Sequence, residues 1–188
     1  NKLGENIEKL NIGSANNADS KVSFLSWNIA GIRASCKRGD LDFLKDGLYD
    51  IICFQETKAE PAQIEPMISV GLKEIYKYRY WGVNPGTSQR KGFSGVAVWS
   101  KFQCIRLLDG MALDTEGRIN ALEFDRFVLV NVYTPNSQEL GCERFEFRKL
   151  WDLAFYEYLM NLSKMFAGKP IIVCGDFNVA YLDIDLHN

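Results

Sequence analysis

A mixed α/β domain with layered sheets is the fold class this sequence predicts, on three observations. Two short, unbroken apolar runs, Ile51-Ile52-Cys53-Phe54 and Ile171-Ile172-Val173-Cys174, read as strands, the first of them buried on both faces. Residues 119–124 and 127–133 read as two further strands about Asp125-Arg126, a two-residue hairpin connection without the preferred glycine. Strand-like and helix-like segments alternate in the first half, which lays helices against sheet faces.

Taken in order, residues 1–20 are rich in Asn, Ser, Ala and Gly. They are expected to form a disordered tail, with 6–10 as a candidate helical turn. One folded domain is then expected over 21–188. Residues 22–27 alternate as a strand ending at Asn28 and turning at Gly31. Asp40 is a candidate cap for a helix reaching about Leu48, and Pro61 starts a helix reaching about Ile75. Residues 78–83, 95–100 and 104–108 read as strands. The Gly- and Ser-rich segment 84–92 between the first two of these reads as a loop carrying Arg90 and Lys91. Residues 142–166 carry apolar positions at helical spacing, among them Phe145, Leu150, Leu153, Ala154, Tyr158 and Leu162.

Composition narrows the class. Apolar residues are 47% of 188, enough for a sizeable core. The net charge of −2 argues against a broad basic footprint for nucleic acid, leaving local clusters at Lys37-Arg38, Arg90-Lys91 and Arg144 with Arg148-Lys149. The five cysteines are odd in number and include no CxxC pair, so reduced, buried thiols of an intracellular protein are expected, not a disulfide framework or zinc site. No apolar run approaches a membrane span. The chain begins with Asn, not Met, so further sequence upstream is expected.

Chemistry gathers at strand ends. Glu56 emerges from the apolar run 51–54, where a carboxylate needs a partner. A hard cation such as Mg²⁺ would serve, and so would the cap of a following segment. Asn28 ends its strand in the same way and reads either as a metal-side amide or as a turn residue. In Gly175-Asp176-Phe177-Asn178, Asp176 can hold or deprotonate water and Asn178 can donate to a phosphate oxygen, though both types also favour Asx turns. Tyr133 and Asn136 offer a phenol and an amide at another strand end. Arg118 stands at a strand mouth, suited to phosphate or to a salt bridge. Gly92 and Phe93 sit beside Arg90 and Lys91 on a loop that could meet a groove. His187, the single histidine, lies with Asp183 and Asp185 in a polar ending with no strand before it.

In this order the motifs Leu25-Ser26-Trp27-Asn28, Gln55-Glu56-Thr57-Lys58, Gly92-Phe93-Ser94-Gly95, Glu116-Gly117-Arg118, Tyr133-Thr134-Pro135-Asn136, Phe147-Arg148 with Trp151-Asp152, and Gly175-Asp176-Phe177-Asn178-Val179-Ala180 resemble the exonuclease III family of apurinic/apyrimidinic endonucleases. The resemblance covers residues 21–188. It implies a DNase I-like sandwich of mixed sheets flanked by helices, incomplete at the C-terminus. It also implies a DNA-repair enzyme that hydrolyses the phosphodiester 5′ to an abasic site in double-stranded DNA with Mg²⁺, for which Mn²⁺ can substitute. By position, Glu56 would hold the metal with Asn28 beside it. Asp176 would act on the attacking water, with Asn178 and Tyr133 at the scissile phosphate. Asn136, Gly92, Phe93 and Arg118 would contact DNA, with Arg90 and Lys91 beside them. Ala30 departs from the family, which commonly has Asp or Asn there. The family's C-terminal third, with a Trp-rich segment and a closing Ser-Asp-His, has no counterpart, so the 188 residues alone are expected to be inactive. The compartment implied is the nucleus in a eukaryote, with mitochondrion and plastid as alternatives. Two other readings stand beside this one: a same-fold phosphoesterase acting on inositol or lipid phosphates, and a non-catalytic DNA-binding module.

Overall fold

The computed structural model describes residues 10–11, 21–82, 92–180, 182 and 184. The elements run β1 (Leu10–Asn11), β2 (Lys21–Val22), β3 (Phe24–Asn28), α1 (Ile32–Arg38), a 3₁₀ turn (Asp42–Asp46), β4 (Ile51–Gln55), α2 (Pro61–Ile64), a 3₁₀ turn (Glu65–Met67), α3 (Val70–Ile75), β5 (Tyr78–Gly82), β6 (Val96–Ser100), β7 (Arg106–Leu107), β8 (Ile119–Glu123), β9 (Val128–Tyr133), α4 (Glu143–Met165) and β10 (Ile171–Asp176).

Two four-stranded mixed sheets result, ordered β3-β4-β6-β5 and β10-β9-β8-β7. In each, one edge pair is parallel, β3 with β4 and β10 with β9, and the remaining pairs are antiparallel. Period-two alternation then divides the inner strands' residues among three cores, one between the sheets and one under the helices on each side. In β4, Ile51 and Cys53 face the other sheet, while Ile52 and Phe54 face the helices. In β9, Val128, Val130 and Val132 pack under α4 while Leu129 joins the inter-sheet core. The layers are therefore helices, sheet, sheet and helix. The expected hairpin is present: Phe124 N–H donates to Phe127 O at 2.9 Å, and the two rings stack 4.9 Å apart.

Several boundaries differ from expectation. The strand expected at 22–27 is broken at Ser23, and Leu10–Asn11 of the expected tail pairs with β2. The rest of 1–20 lies outside the described residues. The helix expected from Asp40 to about Leu48 is a 3₁₀ turn, Asp42–Asp46, not capped by Asp40, which accepts from Arg38 instead; an unexpected helix precedes it at Ile32–Arg38, closed by Gly39 at φ 79°. The segment after Pro61 is three short pieces. Pro66 cannot donate an intrahelical N–H, and the chain restarts at Ser69, whose hydroxyl caps α3.

Asp50 pins the β3 edge. Its carboxylate accepts from Ser23 N–H and hydroxyl, each at 2.9 Å, and from Lys101 Nζ at 3.1 Å, tying the starts of β3 and β4 to the end of β6. Burial pushes this carboxyl up, but the Ser23 bonds and the Lys101 ammonium outweigh it and hold it below its ordinary value. Asp50→Asn is expected to lower stability by about 1–2 kcal/mol at neutral pH, since hydrogen bonds to a charged group are lost. The folded-state pKa is depressed, so this contribution is full above the unfolded value near ~4 and fades as pH falls through the folded one. Urea denaturation at neutral and acidic pH checks it: the gap between wild type and variant should close on acidification.

Candidate functional site

The two parallel edge pairs end at the same mouth, and the backbone there is unusual. Ala30, Glu56, Lys58, Ser94 and Asn178 all adopt positive φ, between 48° and 57°. Such conformations are costly for non-glycine residues and persist where surrounding bonds enforce them. Here Gly31 N–H donates to Glu56 O at 2.8 Å, Lys58 N–H to Ser94 O at 2.8 Å, and Thr134 N–H to Asp176 O at 2.9 Å. The kink at Glu56 turns its side chain out of the β4 plane into the mouth.

One amide joins the two carboxylates. Asn28 Nδ2 donates to Glu56 Oε1 at 2.9 Å and to Asp176 Oδ2 at 2.6 Å, although 148 residues separate Asn28 from Asp176. The Asn28 oxygen accepts from Ala30 N–H at 3.1 Å, which fixes the amide's orientation. Through its N–H group Asn28 orients both anions from beside Glu56. Glu56 Oε2 meets Lys58 Nζ at 2.6 Å, and the Tyr133 phenol lies near the same carboxylate. Burial pushes the Glu56 carboxyl up, but Asn28, Lys58 and Tyr133 together hold it below its ordinary value, so it is ionised at neutral pH. Burial, and then Glu56, push the Tyr133 phenol up, so it remains a donor. Asp176 Oδ1 accepts from Asn178 N–H at 2.8 Å.

The other expected residues sort into neighbours and supports. Asn178 Nδ2 donates to Thr134 O at 2.8 Å, so its amide nitrogen is engaged by the chain. Exposed Asn136 reaches Asn178 Oδ1 at 3.5 Å. Gly92 is exposed, with an added Cβ 3.4 Å from Lys58 O, so its loop abuts the site. Arg118 differs most from expectation. It is 1% exposed, pairs with Glu116 at 2.6 Å and donates to Tyr133 O at 3.0 Å. Its guanidinium lies 4.5 Å from the Tyr133 ring centroid and 5.5 Å from that of Phe93. Buried this way, Arg118 supports Tyr133 from beneath and does not present itself to a ligand. Arg144 is held by Glu116, and Arg148 by the carbonyls of Pro135 and Phe177, so these cations brace the site's loops. Arg90, Lys91, Asp183, Asp185 and His187 lie outside the described residues.

Three supports were not assigned roles from sequence. Lys58 is the cation on Glu56. Asp114 accepts from the N–H groups of Glu116, Arg118 and Ile119 and so shapes the turn that delivers Arg118. Asn131 is wholly buried between the sheets, donating to Phe54 O and Ala97 O at 3.0 Å and accepting from Gln55 Nε2 at 2.8 Å. The signal for Asn131 was present in the sequence, an amide inside the apolar strand Val-Leu-Val-Asn-Val-Tyr.

Among the described residues no three His, Cys, Asp or Glu side chains cluster. The donor set at the mouth is two carboxylates held apart by one amide. That set suits a hard cation that keeps most of its water and takes one or two carboxylates plus substrate oxygens.

The Endonuclease/Exonuclease/phosphatase family matches residues 25–188. The chain is 38% identical over 171 residues to an exodeoxyribonuclease of Bacillus subtilis (strain 168), covering 89% of this chain and 62% of that protein. It is 38% identical over 184 residues to the DNA repair nuclease APEX1 of Danio rerio, covering 96% and 56%. The chain thus spans about six-tenths of the length of these relatives. An AP endonuclease structure from Archaeoglobus fulgidus superposes with a TM-score of 0.70 at 24% identity, covering 89% of this chain and 61% of that one, a likeness of fold.

Proposed function

Because this chain belongs to the endonuclease/exonuclease/phosphatase family, we propose that the full-length protein is a metal-dependent DNA-repair nuclease that hydrolyses the phosphodiester 5′ to an abasic site. The observation that carries this is the single Asn28 amide bonded to both Glu56 and Asp176 at the joint mouth of two sheets. Phosphodiester hydrolysis needs an oriented water, a proton acceptor and neutralisation of charge on the phosphoryl oxygens. Asp176, with one oxygen toward Asn28 and the other toward Asn178 N–H, is placed to orient and deprotonate water. Glu56, ionised and opening onto solvent, is the residue that would hold Mg²⁺, with Asp176 across the amide bridge. The cation supplies Lewis acidity at the phosphate when bound. Tyr133 keeps its proton beside Glu56, with the Arg118 guanidinium over its ring. Two relatives bear nuclease names, which favours DNA over inositol or lipid phosphates as the substrate.

The test uses the full-length protein and a duplex with one tetrahydrofuran abasic analogue. Nicking 5′ to the lesion that requires Mg²⁺ is expected. Hydrolysis of inositol polyphosphates without nicking would replace this reading with the phosphoesterase one. Glu56→Gln is expected to raise the Mg²⁺ concentration for half-maximal cleavage by about tenfold or more, a neutral amide being the weaker ligand for a hard cation. Titrating cleavage against Mg²⁺ checks this, and unchanged metal dependence would remove Glu56 from the metal.

A further inference from the structure

Helix α4 is apolar on both sides. Its inner face, with Trp151, Phe155 and Leu162, packs on the β7–β10 sheet. Its outer face carries Leu150, Leu153, Tyr156 and Met160, exposed by 62%, 59%, 61% and 42%. An exposed apolar row on a helix already packed on its opposite side marks a candidate interface. Positions 150, 153, 157, 160 and 164 also keep the alternating three- and four-residue spacing of a coiled-coil seam.

We propose that this face pairs two copies of the protein through antiparallel α4 helices. The register follows from the residues. Centring a two-fold axis on residue 155 sets Leu150 opposite Met160 of the second copy and Leu153 opposite its Glu157. It also sets Glu146 opposite its Lys164, and each layer occurs twice. Both ends of the seam therefore close on opposite charges, which a parallel pairing would not provide, since it would stack Glu146 on Glu146 and Lys164 on Lys164. A self-complementary patch of this kind is what an isologous dimer requires. The face is also shaped for a knob: Tyr156, Glu157, Met160, Asn161 and Lys164 line a hollow of about 410 Å³, where the register places Leu150 of the other copy. Glu157 in the seam weakens the contact while penalising slipped registers, as a polar seam residue does. One helix pair is a small interface, so a dissociation constant on the order of 10 µM is expected.

Sedimentation velocity of the full-length protein across that concentration tests the proposal, with circular dichroism to show that each variant is folded. A monomer–dimer equilibrium is expected. Leu153→Glu should weaken it by about tenfold or more, since it puts a carboxylate near the centre of the seam, opposite Glu157 of the second copy. Glu146→Lys and Lys164→Glu alone should each weaken it several-fold by placing like charges opposite one another, and the double exchange should restore it. A protein that stays monomeric, or a dimer indifferent to Leu153→Glu, would overturn the interface. Single charge variants that weaken the dimer with no recovery in the double exchange would overturn the antiparallel register.

Discussion

Asp176→Asn is expected to lower abasic-site cleavage by the full-length protein by roughly 10²–10⁴-fold, the range for a group that orients and deprotonates the nucleophile. The variant keeps nearly the same shape, so the loss reports chemistry. Its amide has one oxygen for two donors, Asn28 Nδ2 and Asn178 N–H. Asn28 cannot rotate to compensate, because its own oxygen is held by Ala30 N–H. One hydrogen bond is therefore lost, costing about 1 kcal/mol of stability. Affinity for the abasic duplex should change little, since it rests on many phosphate contacts spread over the surface. Single-turnover cleavage and fluorescence anisotropy, measured together, separate these effects. A variant that retained more than about a tenth of wild-type cleavage would take the water-activating role away from Asp176.

The strand ends carrying the site were legible in the sequence because they combine two strong signals. The runs 51–54 and 171–174 have the unbroken apolar character of strands, and a carboxylate leaving a strand buried on both faces, as β4 is, has no packing explanation. Both proved to be strands, each parallel to one neighbour and ending at the common mouth. What was not legible is direction. Sequence shows that Asn28 ends a strand but not which end of its amide faces the carboxylates, and that depends on Ala30 N–H, a bond made by a positive-φ turn. Arg118 was misplaced for a related reason. An arginine next to glycine at a strand mouth looks exposed, yet Asp114 folds the preceding turn inward and Tyr133 and Phe93 close over the guanidinium. The short helices failed on local competition, since Pro66 outweighed the apolar periodicity running through 61–75.

Gly175→Ala is expected to be among the most damaging single-methyl changes in the chain. Gly175 lies inside β10, directly opposite Val132 of β9, at φ 141°. A side chain rarely adopts that backbone conformation. A Cβ there would also run into the Val132 carbonyl oxygen, with the carbonyl carbon 2.8 Å and the nitrogen 2.9 Å away. These are backbone atoms of a strand with both faces covered, so they cannot swing aside as a flexible side chain would. Either β10 separates from β9 or the peptide before Asp176 rotates. Backbone strain of about 1–3 kcal/mol and overpacking of a similar size add to roughly 2–6 kcal/mol. That is a large share of the 5–15 kcal/mol that typically holds a domain together. Chemistry should suffer as well as stability. Asp176 is the next residue, its carbonyl holds Thr134 N–H at 2.9 Å, and its carboxylate must meet Asn28 from the other sheet. A shift of about 1 Å at Gly175 breaks that alignment, and misplacement of this size is enough to cost about 10²-fold in rate. Guanidinium denaturation and cleavage kinetics on the same preparation check both parts. A variant with wild-type stability would mean that β10 can slide along β9 without resistance, and the inter-sheet placement of Asp176 would then need another cause.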